Sequence, residues 1–197
     1  DLGDDVCRML SAWPHENITM EACGYRKYDL SNDPLKRCSF SMLATSLLCC
    51  DRAWNTSNTN NGGWANSSLN TMLNTRLYAA IPKQIRAIIK QVEVPSSIGS
   101  QSNDISTSAC YITVPAVIEV DPNMTVEPYV NEGKSISYMV NNTSRMRAYS
   151  NGTYGRYWLR SPNVTSNSWV YRVNADGTTY GFTTPSYSAG ILIEISL

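Results

Sequence analysis

Leu69, Met72, Leu73 and Leu77 recur at three- and four-residue intervals, which gives a helix one apolar face. Asn66, Ser67 or Ser68 stands where its cap belongs. A second, short helix is expected from Pro82, a residue favoured in a first helical turn, with Ile81, Ile85, Ile88 and Ile89 as its buried stripe. Elsewhere the period drops towards two. Residues 18–25 alternate and read as a strand; Val92-Glu93-Val94 reads as another, stopped by Pro95. Residues 39–50 are largely apolar and belong in a core. Residues 111–120 are rich in strand formers but contain Pro115, which fits an edge or a broken strand. Residues 55–63, 99–108 and 121–134 read as loops or irregular chain. Residues 157–160 form a strand that Pro162 ends. Residues 169–174 and 178–182 pair through an Asp176-Gly177 turn, and residues 191–197 close the domain. Two helices early and several strands late predict an α+β chain. It reads as one domain over residues 1–197, with residues 1–17 an extension or the remnant of a longer chain. The opening Asp1-Leu2-Gly3-Asp4-Asp5 fits a processed end or an excised domain.

The segment between the last two apolar strands differs in kind. NVTSNSWVYRVNADGTTYGFTTPSYS, residues 163–188, is dominated by Asn, Ser, Thr, Tyr and Gly, and Arg172 and Asp176 are its only charges. Polar chain pinned between two core strands has to be held on a surface. Tyr171, Tyr180, Phe182 and Tyr187 stand among small polar residues, the mixture of rigid aromatic anchors and adaptable hydrogen-bonding groups found in antibody paratopes. A solvated hairpin fits the composition equally well. Upstream, Trp158 reads as core, and Arg160 as a partly buried, ion-paired residue that holds the following loop.

Lys plus Arg (16) balances Asp plus Glu (16), which argues against a nucleic-acid or anionic-membrane partner. Apolar runs fall short of the ~18 residues that span a bilayer, so no direct membrane insertion is expected. Six cysteines are present without a C-x-x-C pair, which excludes zinc-ribbon and thioredoxin readings. They fit small buried hydrophobes made in a reducing compartment better than a disulfide framework. Asn-x-Ser/Thr triplets at Asn17, Asn55, Asn66, Asn123, Asn141, Asn142, Asn151 and Asn163 are what so Asn-, Ser- and Thr-rich a chain produces by chance. The lone His15 lies beside Pro14 in a solvated loop. No zinc-protease, nucleophile-elbow or phosphate-loop motif is present, so no catalytic residue, metal or cofactor is expected. Around residues 174–177 a calcium loop would need an acidic residue where Arg172 sits and Glu where Thr183 sits; the stretch is a turn. Asp121-Pro122-Asn123 is similar to the sugar-binding triplet of lectins but has no Trp-Asn-Asp companion, and reads as a turn too.

WNTSNTNNGGWANSSLNTMLNTRLYAAIPKQIRAIIKQV, then YGRYWLRSP and VNADG, resembles a bacterial and phage domain family of unknown function. The resemblance runs from about Ile18 to the C-terminus. It implies a C-type-lectin-like fold with two helices, a twisted antiparallel sheet and long irregular loops. Some members of that family are the variable proteins of diversity-generating retroelements, in which adenine-directed mutagenesis rewrites the codons after the Trp-Leu-Arg-Ser-Pro motif. Asn codons randomised at their adenines yield Ser, Thr, Tyr, Phe, Gly, Asp and Arg but never Lys, Glu, Gln, Met or Trp. Residues 161–190 hold no Lys, Glu, Gln or Met, and Trp169 is the exception.

The resemblance implies a display module that binds a protein or glycan on a cell surface and sits on a phage tail or a bacterial surface. Asn163, Thr165, Ser166, Asn167, Ser168, Tyr171, Arg172, Thr178, Tyr180, Phe182, Thr183, Thr184, Ser186, Tyr187 and Ser188 would form the ligand face. Trp64, Trp158, Arg160, Gly177 and Gly190 would form the scaffold. The alternatives are a non-variable adhesion or structural domain and, last, a calcium-dependent lectin. The family's usual Gly-Val-Arg-Pro-Ala ending is replaced by Gly190-Ile191-Leu192-Ile193-Glu194, and no cysteine follows Cys110 to supply the copper-binding pair of the related formylglycine-generating enzymes.

Overall fold

The computed structural model describes residues 18–197. His15, Cys7, Asn17 and the proposed extension over residues 1–17 lie outside the described residues. What is described is mostly antiparallel sheet with a few short helices, an α+β chain.

The strands are β1 (Met20–Tyr25), β2 (Asp29–Leu30), β3 (Asp33–Arg37), β4 (Phe40–Ala44) and β5 (Arg52–Ala53); then β6 (Val92–Ser97), β7 (Ile105–Cys110) and β8 (Ile112–Thr113). The C-terminal half adds β9 (Arg147–Ala148), β10 (Tyr154–Gly155), β11 (Tyr157–Pro162), β12 (Val170–Val173), β13 (Thr179–Thr183), β14 (Ser188–Ala189) and β15 (Glu194–Ser196). One sheet runs β1-β4-β15-β8, so the closing strand is inserted between early ones; a second runs β3-β2-β6-β7; a third runs β11-β12-β13. Two-stranded ladders β9–β10 and β5–β14 pin the connections.

The expected first helix, α1, is α-helical over Ser68–Met72 and Tyr78–Ala80 with a wider π turn over Leu73–Leu77 between them. Ser67 caps it by accepting the Asn70 N–H at 3.0 Å. Leu69, Leu73 and Leu77 are buried as the periodicity requires. From the π turn, Asn74 braces β8: its Oδ1 accepts the N–H groups of Tyr111 and Ile112, and its Nδ2 donates to Ile112. The second helix, α2, is one turn at Lys83–Arg86. Its expected stripe is wrong in part. Ile81 and Ile89 are buried, but Ile85 and Ile88 are exposed, because a single turn cannot keep four positions on one face.

Three further expectations are corrected. Pro95 does not stop a strand: it lies inside β6, opposite Thr107. Beyond Glu93 this strand has β7 on one side and no longer β2 on the other, so a missing N–H is tolerated. Four of the ten residues of the loop expected at 99–108 belong to strand β7. Residues 111–120 are broken near Pro115, as the broken-strand reading expects, but only β8 is strand, two residues long, and a helical turn, α3 (Val117–Val120), follows instead of more strand. The Glu119 carboxylate starts that turn by accepting the Ala116 N–H at 2.8 Å. One more turn, α4, spans Asn142–Arg145 and is capped by Asn141.

Core side chains come from all three sheets and α1, with Trp54, Trp64, Tyr157 and Trp158 fully buried. Cys23, Cys38 and Cys110 are buried as small hydrophobes, whereas Cys49 is exposed and Cys50 half-buried. The apolar run ends at Leu48, whose N–H bonds the Ile191 carbonyl, and the chain then turns outward.

Candidate functional site

The polar segment leaves β11 at Pro162 and is gripped at once. The Asn163 N–H donates to the Trp169 carbonyl at 2.9 Å and closes a loop over residues 163–169. Its side-chain Nδ2 donates to the Gly181 carbonyl of β13 at 2.7 Å, and its Oδ1 accepts both the N–H and the hydroxyl of Thr165. Inside the loop stands Asn60, fully buried, with Nδ2 2.7 Å from the carbonyls of Ser166 and Trp169 and 3.0 Å from that of Asn163. The Asn60 N–H bonds the Asn167 carbonyl, and its Oδ1 takes the Ser100 N–H at 2.9 Å. Gly99, at φ 67, lets this asparagine in; a Cβ there would sit 2.3 Å from the Asn60 carbonyl oxygen. Tyr129 completes the grip by accepting the Val164 N–H at 3.0 Å.

Beneath the segment lies a buried ionic cluster. Arg160, on β11, is 0% exposed. Its two terminal nitrogens meet the two Glu119 oxygens at 2.7 and 2.8 Å. Its remaining donors go to the carbonyls of Pro95, Val114 and Glu132, so all five guanidinium N–H groups have an acceptor. Lys27 adds a second cation between Glu119 (3.1 Å) and Glu194 of β15 (2.7 Å). Burial alone pushes the Glu119 carboxyl up, but Arg160 and Lys27 outweigh it and hold the pKa at about 2. Glu132, which accepts the Ser97 N–H and the Ser161 hydroxyl, moves the other way, because burial there outweighs its hydrogen bonds. Arg160 is thus more deeply buried than expected, and its partner comes from α3.

Above this base the outward side of β12 and β13 carries a run of rings. Trp169 packs edge-on to Phe182 at 5.1 Å, and Phe182 to Tyr180 at 5.7 Å. Arg172 faces Tyr180 across the two strands, and its guanidinium lies 5.3 Å from that ring and 5.4 Å from the Tyr187 ring. The Tyr187 hydroxyl accepts from Arg156 Nη1 at 2.7 Å. Tyr180, Phe182 and Tyr187 remain 42%, 55% and 42% exposed and form a cluster of large rings at the surface; Tyr25, Phe40 and Tyr154 are the other exposed large rings among the described residues.

Of the residues expected on a ligand face, Thr165, Asn167, Tyr180, Phe182, Thr184, Ser186, Tyr187 and Ser188 are exposed, and Ser166, Ser168, Arg172 and Thr178 are half-buried. Three expectations are corrected. Asn163 is buried because its amide ties β11 to β13. Thr183 is buried because it pairs with Val170 on the inward side of the hairpin. Tyr171 turns away from the exposed rings: it packs edge-on to Tyr129 at 5.1 Å and crosses Gly181, where a Cβ would lie 2.6 Å from its ring. In β12 the end residues Val170 and Val173 are buried and Tyr171 and Arg172 between them are half-buried, so burial does not follow a simple in–out alternation.

The scaffold residues occupy tight places. Trp64 and Trp158 are fully buried, and the Trp158 indole donates to the Arg52 carbonyl at 2.6 Å. Gly177 turns the hairpin at φ 80 with its Cα against α4; a Cβ would stand 1.8 Å from the Asn142 carbonyl oxygen. Gly190 lies against β11, giving its N–H to the Arg156 carbonyl and taking the Trp158 N–H. Asp121, in the lectin-like triplet, is committed to a turn. Its carboxylate pairs with Arg145 at 3.0 Å and accepts the Thr179 hydroxyl at 2.9 Å.

Sequence reasoning missed Asn60, Glu119, Lys27 and Glu194. The one signal for Asn60 was the asparagine run immediately before Gly62-Gly63-Trp64. Residues 39–191 match a family described as a domain of unknown function, DUF6273, and the chain belongs to that family. No curated protein and no solved structure matches the chain.

Proposed function

We propose that this DUF6273 member is a ligand-binding display module with a C-type-lectin-like fold, and that its C-terminal segment is the variable region of a diversity-generating retroelement. The observation that carries the reading is the run of exposed Phe182, Tyr180 and Tyr187 with half-buried Trp169 and Arg172, on backbone held by Asn60, Asn163 and the Arg160 cluster. A display surface needs this division, since binding residues can be replaced only when stability resides elsewhere. The ligand is a protein or glycan on a cell surface, and the module is carried on a phage tail or a bacterial surface.

A non-variable adhesion domain is the second reading, and the encoding locus separates the two. The retroelement reading expects a near-copy of the last ~40 codons, differing at adenines, beside a reverse transcriptase gene (an estimate that spans the segment between the closing strands together with those strands). A calcium lectin is disfavoured by the commitment of Asp121 to Arg145 and Thr179.

The binding reading is tested by probing glycan and protein arrays with the native protein and with Tyr180→Ser/Phe182→Ser/Tyr187→Ser. The expected result is a retained array component that the triple variant loses while its melting temperature holds. Equal retention by both proteins overturns the reading.

A further inference from the structure

We infer that the ring-and-arginine face docks an acidic polypeptide segment, with Arg172 and Arg156 meeting its carboxylates. The inference rests on the reading of this face as the binding surface and adds the chemistry of the partner.

Four observations carry it. First, the two arginines of this face lack the carboxylate that four other arginines have. Arg37, Arg145, Arg147 and Arg160 are paired with Asp29, Asp121, Glu21 and Glu119. Among the described residues, neither Arg156 nor Arg172 has a carboxylate partner: Arg172 lies between two rings, and Arg156 is bonded to a tyrosine hydroxyl. The chain as a whole is neutral, so two uncompensated cations on one face are a local feature and not general basicity. Second, the Arg172 Nε–H is buried without a hydrogen-bond acceptor, so its fork is incomplete where that of Arg160 is full. Burial and then the Arg156 charge push the Arg172 pKa down and outweigh the Tyr187 and Tyr180 phenols, which raise it. A planar guanidinium partly stripped of water, with tyrosines but no carboxylate beside it, is matched best by a carboxylate, which its fork can take with two hydrogen bonds.

Third, this face presents exposed Tyr180, Phe182, Tyr187 and Arg156 with half-buried Trp169 and Arg172, side-chain types enriched at the centres of protein–protein contacts. Fourth, β13, which carries Tyr180 and Phe182, is the edge strand of its sheet. An edge strand can add a further extended polypeptide by main-chain pairing, which a glycan cannot do. Charge selects an acidic ligand, and the edge strand selects a polypeptide over an acidic glycan.

The test uses immobilised random glutamate–tyrosine copolymer as the probe, with a lysine–tyrosine copolymer and the acidic glycan hyaluronate as comparisons. The native protein is expected to bind the glutamate–tyrosine copolymer and neither of the others. Binding should weaken about tenfold in Arg172→Gln, as expected for loss of one charge-assisted contact. It should also weaken as salt rises from about 50 to about 300 mM, since exposed charges are screened. Arg156→Gln, at an exposed position, should reproduce the direction of the loss if Arg172→Gln lowers the melting temperature. Failure to bind the glutamate–tyrosine copolymer, binding indifferent to both substitutions, or hyaluronate binding of equal strength overturns the inference. The binding-face reading fails separately, when the ring variant Tyr180→Ser/Phe182→Ser/Tyr187→Ser keeps the array component. Loss of that component by the ring variant but by neither arginine variant leaves the face standing and removes its acidic partner.

Discussion

Arg160 and Arg172 sit on neighbouring strands of one sheet and have opposite fates. Arg160 is fully buried, with all five donors satisfied and a carboxylate gripping its fork. Arg172 is half-buried between two tyrosine rings, with one donor unmet and no carboxylate beside it. A buried charge is tolerated only when the fold supplies every partner, because an unpaired ion in a low-dielectric interior costs several kcal/mol. A charge at the surface is under no such demand, and its missing partner can come from another molecule. The same residue type is therefore consumed by the fold in one place and left without a carboxylate near the surface in the other.

The sharpest way to break this comparison is to remove the buried arginine. Arg160→Met leaves Glu119 with Lys27 as its one remaining cation and is expected to lower unfolding stability by ~3–5 kcal/mol in urea denaturation. Glu119→Gln added to it should restore part of the loss, since the stranded charge is then gone. If Arg160→Met is as stable as the native chain, the cluster is not the base of the fold. Trp158→Ala is expected to cost a similar ~3–5 kcal/mol through lost packing.

The next largest effect belongs to the loop grip. Asn60→Ala or Asn163→Ala leaves buried carbonyls without donors and should cost ~1–3 kcal/mol, with faster amide exchange over residues 163–169. Asn167→Ala, on the outside of the same loop, should be close to neutral. Equal effects at Asn163 and Asn167 would remove the distinction between held and displayed asparagines.

A smaller, pH-dependent effect separates the carboxylates of the cluster. The folded pKa of Glu119 is depressed, so its contribution is present above the ordinary glutamate value of 4.5 and is lost as pH falls towards about 2. The folded pKa of Glu132 is raised, so the native state holds its proton more tightly than the unfolded chain does. Its effect on stability therefore becomes steadily less favourable as pH rises from 4.5 through the folded value. Glu132→Gln, which keeps the shape and cannot ionise, should gain on the native protein over that window in parallel denaturation curves. A constant difference between the two curves would show that Glu132 ionises in the fold as it does in the unfolded chain.

The smallest effects are expected on the outward face. Thr184→Ala, Ser186→Ala and Tyr187→Ala should each shift stability by within ~0.5 kcal/mol in thermal denaturation. A loss at Tyr187 comparable to that at Trp158 would move this ring from the binding face into the core.

Local chemistry was legible in the chain. The α1 face at Leu69, Leu73 and Leu77, its cap at Ser67, the turn at Gly177 and the placement of the polar segment between two core strands all follow from residues near one another in sequence. Spacing and turn chemistry act over a few residues, so a sequence displays them directly. Burial of polar groups was not legible. Asn163 and Asn167 look alike in the chain, yet one ties two strands together and the other faces solvent, because only the return of β13 brings a carbonyl within reach. Lys27, Glu119 and Glu194 come from distant segments and meet Arg160 only when β15 enters between β4 and β8 and α3 turns inward. The sequence by itself determined where α1, the closing hairpin and the polar segment lie, but not the extent of β6 and β7 or the helical turn after Pro115. The tertiary structure alone decided which asparagine and which arginine the fold would consume, since satisfying a buried donor depends on acceptors that the chain brings close in space and keeps far apart in sequence.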